Sequence, residues 1–107
     1  MNIEFRYMYR DMGNFKNYGE VIFGNRLNHN AEEIHKQIFR ILGSDQIIKA
    51  SDLRIPNLFF TNFPYDPELD HGMHEYFGVS ETKLPVNDAE QRDITDILAK
   101  IKTNCIM

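Results

Sequence analysis

The chain opens on a strict alternation. Ile3, Phe5, Tyr7 and Tyr9 fall on one side of an extended backbone, and Glu4, Arg6, Met8 and Arg10 fall on the other. A period of two marks a half-buried strand. Asp11, Met12, Gly13 and Asn14 then supply turn chemistry, with Gly13 free to adopt a positive φ. β character returns from Tyr18 to Phe23 through Val21 and Ile22, so the two runs are expected to form an antiparallel hairpin. The loop between them, reaching through Lys16 and Asn17, is longer than a two-residue turn.

Asn30 followed by Glu33 reads as an N-cap with its capping-box partner. Behind it Ile34, Ile38, Ile41 and Leu42 recur at helical spacing with Phe39 beside them, and Gly43 stands where a helix stops. The spacing predicts a helix over 31–42. Residues 46–50 suit a short strand or an irregular approach, and Pro56 bars a helix from running through it. Leu58, Phe59 and Phe60 predict a buried strand over 57–62; Pro64, Pro67 and Gly72 then punctuate an acidic loop. Across 73–80 a further strand is expected. Its two sides are Met73, Glu75, Phe77 and Val79 against His74, Tyr76, Gly78 and Ser80, and the pattern does not choose the buried one. Asp88 with Gln91 can cap a last helix over 89–102, whose apolar stripe is Ile94, Ile97, Leu98 and Ile101.

The expected order is therefore β-β-α-(β)-β-β-α. Short loops between strands favour an antiparallel sheet of four or five strands, with two helices packed on one face. This is an α+β fold in a single domain over 1–107. The uncovered face would be left polar and aromatic, and free to bind.

Composition narrows the classes. With 107 residues the chain is one domain's worth, and no apolar run approaches the ~20 residues of a membrane span. No basic start precedes an apolar stretch, so no secretory signal is expected. One cysteine, Cys105, excludes an internal disulfide framework and suits the cytoplasm. The net charge of −4 argues against a duplex nucleic-acid binder. That charge is uneven. Residues 1–54 hold eight Lys/Arg against seven Asp/Glu, whereas residues 55–107 hold four against nine.

Three groups of residues invite a chemical reading. Asp70, His71, His74 and Glu75 place four zinc-type ligands within six residues. The order H-x-x-H-E is not a zinc-peptidase spacing, however, and on a strand His71 and His74 would face opposite ways. They define the alternative of a small metal-dependent hydrolase or nuclease. Tyr7, Tyr9, Tyr18, Phe59, Phe60, Tyr76 and Phe77 interleave with Arg6, Arg10 and Lys16, an arrangement on which single-stranded RNA could stack. Aromatics at alternating strand positions more often form core. A ligand- or RNA-binding module using the Arg10–Glu20 hairpin is thus a further alternative. Asp11, His29, His35 and Cys105 stand in no recognisable nucleophile arrangement, so no catalytic residue, metal or cofactor is expected.

The third group is the acidic stretch. From Phe63 to Thr82 the chain carries Asp66, Glu68, Asp70, Glu75 and Glu81 with no Lys or Arg, and Tyr65 and Tyr76 lie within that field. Negative charge with aromatic anchors suits docking on a basic protein surface. Tyr65, Asp66, Glu68, Asp70, Glu75 and Tyr76 are the candidate contact residues.

The segments Tyr9–Phe23 (YRDMGNFKNYGEVIF), Ile55–Phe60 (IPNLFF) and Asp70–Phe77 (DHGMHEYF) resemble a set of small bacterial proteins sharing a YRDxGN[FY]KN opening, an IPxLFF strand and an HE[FY] strand. The pattern spans most of residues 1–85. The chain also resembles immunity proteins of contact-dependent growth inhibition systems, which are small, acidic and cytosolic. The resemblance implies a non-enzymatic inhibitor that binds and neutralises a cognate toxin domain. The acidic side of the chain suits a toxin with a basic surface, as a nuclease has, and no contact with nucleic acid or membrane is expected.

Overall fold

In a computed structural model, the structure describes residues 1–10, 16–44, 46–56, 58 and 74–104. The fold is α+β. The elements run β1 (Asn2–Arg10), β2 (Lys16–Phe23), α1 (Ala31–Leu42), β3 (Ile47–Ile48), α2 (Ala50–Leu53), β4 (His74–Thr82) and α3 (Ile94–Asn104). The strands form one curled antiparallel sheet in the order β2-β1-β4-β3. The expected hairpin pairs Ile3 with Phe23 through to Arg10 with Lys16. The turn residues 11–15 and the strand expected over 57–62, Leu58 apart, lie outside the described residues; Leu58 itself is not in a strand.

The alternation of β1 holds on its apolar side, but Met8, expected on the polar side, is buried as well at 5% exposure. Ile3, Phe5, Tyr7 and Tyr9 are buried, and the first three join Val21, Phe23 and Tyr76 in one core. Ile34 and Ile38 of α1 and Ile94, Ile97 and Ile101 of α3 belong to the same core. Rings of Phe5, Tyr7, Phe23 and Tyr76 meet at centroid distances of 5.4–6.1 Å.

Helix α1 has the predicted bounds. Asn30 caps it, but its side chain accepts from the N–H of Glu32 (2.8 Å), one residue earlier than a capping box with Glu33 requires. Gly43 ends it at φ +75, its N–H bonding the Phe39 carbonyl at 2.9 Å. Helix α3 starts later than expected. Asp93, not Asp88, caps it: Oδ2 accepts from Thr95 N–H, and Asp96 returns a bond to the Asp93 N–H at 3.0 Å. Asp88 is instead the ion partner of Arg92, with Nε–Oδ2 and Nη2–Oδ1 both at 2.9 Å.

Two buried phenols tie sheet to surroundings. The Tyr7 hydroxyl donates to the Pro56 carbonyl at 2.6 Å, and the Tyr76 hydroxyl lies 2.8 Å from Nδ1 of His35. Burial pushes the Tyr7 phenol up from 10.0 to about 12 and raises Tyr76 as well. The folded chain therefore favours the neutral phenols. Their contribution is complete below pH 10, the ordinary tyrosine value, and is lost as pH climbs toward 12. The urea midpoint should fall across that window, and a midpoint that stayed flat would contradict this linkage.

Candidate functional site

The even-numbered residues of β1 define the other face of the sheet. Glu4, Arg6 and Met8 stand there beside Tyr18 and Glu20 of β2, because Met8 pairs with Tyr18 and Arg6 with Glu20. On the other side Met8 pairs with Glu75 of β4, which brings that carboxylate onto the same face.

A β-bulge shapes the centre of this face. Arg6 pairs with Gly78 while Tyr7 pairs with Tyr76, leaving Phe77 as the extra residue. Before the bulge His74 and Tyr76 face the core; beyond it Val79 packs against the core instead. Gly78 has φ +138, a conformation that side chains strain to adopt. A Cβ there would also stand 3.1 Å from Nη2 of Arg6. With no side chain at 78, the Arg6 guanidinium lies over that backbone and donates from Nη1 to Ser80 Oγ at 2.7 Å.

The bulge brings Phe77 beside Tyr18, edge to face, with ring centroids 5.5 Å apart. Each ring is 57% exposed. Arg6, Tyr18, Gly19, Glu20 and Phe77 line a shallow depression of about 380 Å³. At one end Glu4 and Glu20 crowd together. A hydrogen bond shared between the two carboxyl groups, with burial and the Glu20 charge, raises the Glu4 pKa; Arg6 pulls it the other way. A cation docking there would relieve the repulsion between the two carboxyl groups.

The residues expected to form a contact surface are placed as follows. Tyr65, Asp66, Glu68 and Asp70 lie outside the described residues. Glu75 is partly exposed on the outer face. Tyr76 is 5% exposed, so its assignment as an exposed anchor is corrected: it pairs with Tyr7 on the core side and packs on Phe5. Sequence reading passed over Phe77 as the anchor. The signal was Gly78, since an isolated glycine inside a strand marks a bulge.

Of the residues in the metal reading, the described pair His74 and Glu75 do not share a site. His74 is fully buried, its ring 5.8 and 5.3 Å from those of Tyr7 and Tyr9, and Nε2 accepts from the Leu58 N–H at 3.0 Å. Glu75 faces the opposite way, so the sheet separates the two. Asp70 and His71 lie outside the described residues, and no three His, Cys, Asp or Glu gather among the described ones. In the Arg10–Glu20 hairpin, Asn17 is engaged inward, donating to the Leu58 carbonyl at 2.9 Å. Asp11 and Cys105 lie outside the described residues, and no described helix is long and apolar enough to cross a membrane.

What fold and face define together is an α+β fold with one sheet face in the core and another on which, among the described residues, Tyr18 and Phe77 are exposed beside Glu4, Glu20 and Glu75. Comparison of the chain with protein-family models, with curated proteins and with solved structures gives no match.

Proposed function

We propose that the protein is a non-enzymatic immunity protein that binds and neutralises a cognate bacterial toxin domain, a nuclease, in the cytoplasm. The observation that carries this reading is the open sheet face, where the exposed Tyr18–Phe77 pair stands among Glu4, Glu20 and Glu75. Nucleases bind a polyanion and present basic surfaces to do so. A partner with Lys or Arg around an apolar centre would meet aromatic anchors in the middle and carboxylates at the rim. The acidic segment 63–73 runs directly into β4 and adds negative charge to the same chain region.

The test is inhibition of the toxin domain encoded beside this protein's gene. Stoichiometric wild-type chain should abolish its nuclease activity. The double reversal Glu4→Lys/Glu20→Lys should slow association and demand a large excess for the same inhibition. Wild-type chain that left the activity untouched would overturn the function. Unchanged inhibition by the reversed variant would overturn the assignment of this face.

A further inference from the structure

We infer that the protein forms a twofold dimer by antiparallel pairing of β2 with β2 of a second copy, centred on Tyr18. Among the described residues β2 is an edge strand. The Ile22 N–H donates to Asn87 Oδ1 at 2.7 Å and the Ile22 carbonyl accepts from the Asn87 N–H at 3.1 Å, so both groups point away from β1. In an antiparallel pair that orientation repeats every second residue. Glu20, Tyr18 and Lys16 therefore also turn their N–H and C=O groups outward. Asn87 occupies the edge at Ile22; among the described residues, nothing bonds it at the other three positions. At Glu20 the edge borders a depression of about 460 Å³ lined also by Arg54, Ile55, Pro56 and Asn87, and among the described residues no strand pairs there.

The side chains on this edge complement themselves. Pairing about Tyr18 sets Lys16 opposite Glu20 of the second copy, and Glu20 opposite its Lys16. Both are exposed, and neither makes an ion pair among the described residues. Lys16 has Arg10 as its register partner on β1, while Glu20 sits against Glu4. The twofold axis thus brings a cationic end of one copy to an anionic end of the other. Other registers lose this match. A two-residue slip sets Lys16 or Glu20 against Tyr18, and parallel pairing sets like charges together, which is destabilising across strands. Tyr18 stands beside Tyr18 of the second copy across the axis, on the face that also carries Phe77, so pairing extends that face rather than covering it. Edge strands that stay monomeric usually hide such groups behind a bulge, a proline or uniform charge. The stretch 16–20 has none of these.

Sedimentation equilibrium of the full chain from micromolar to about 1 mM tests this, and no toxin is required. The wild type is expected to dimerise. Lys16→Glu and Glu20→Lys should each weaken self-association at least about tenfold, by setting like charges opposite one another twice. The decisive step is mixing. The two variants are complementary only to each other in this register, so an equimolar mixture should form a heterodimer, and the double swap K16E/E20K should regain the homodimer. Circular dichroism checks that each variant is folded. A wild type that stays monomeric throughout would overturn the inference. So would a dimer indifferent to both reversals, or variants that fail to restore association when mixed.

Discussion

Replacing Arg92 with alanine is expected to destabilise the fold by about 3–5 kcal/mol, the range for a buried pair stripped of one member. The guanidinium makes two bonds of 2.9 Å to Asp88. It also donates to the carbonyls of Leu53 (2.7 Å) and Arg54 (3.0 Å) and lies 5.6 Å from the centre of the Phe23 ring. One side chain therefore joins the end of α2, the approach to α3 and the core. Asp88 is 2% exposed and Arg92 10%, so water would not take over these bonds. The Arg92 hydrogen bonds hold the Asp88 carboxyl below its ordinary value of 3.8 against the opposing effect of burial. The pair's contribution is accordingly complete above that value and lost as pH falls through the lower folded one. Urea unfolding near neutral pH measures the effect. A loss under about 1 kcal/mol would mean the clamp is dispensable.

The second large effect concerns binding. Tyr18→Ala/Phe77→Ala should weaken toxin affinity on the order of a thousandfold, at about 2 kcal/mol for each buried aromatic anchor. Both rings are more than half exposed in the free chain, so their removal should cost the fold far less. The lost edge-to-face contact is worth about 0.5–1.5 kcal/mol. Calorimetry on the double variant, with urea unfolding as the control, separates the two readouts. If affinity changes less than about tenfold, the partner docks elsewhere.

Legibility in the sequence followed how local each determinant is. The alternation of Ile3, Phe5, Tyr7 and Tyr9, the helical spacing of Ile34 and Ile38, and the Ile94, Ile97 and Ile101 stripe each depend on period alone, and each is buried as its period requires. Helix α3 shows where local reading stops. Asp88 and Gln91 had the form of a cap, but the tertiary partner Arg92 takes the Asp88 carboxylate, and Asp93 with Asp96 performs the capping. β4 was ambiguous for a different reason. Its phase changes at the Phe77 bulge, so neither reading with one unbroken period describes 74–82. That phase change separates the buried Tyr76 from the exposed Phe77, and it moves the aromatic anchor by one residue. The outer face joins three strands, and its composition depends on register: Glu4 meets Glu20 and Met8 meets Glu75 only once β1 has aligned both neighbours.

The most direct measurement is titration calorimetry of the wild-type chain with the toxin domain encoded beside its gene. Nanomolar association, one toxin per chain and weakening as salt is raised, is the predicted result. No heat of binding with either partner in the tens of micromolar would contradict the assigned role.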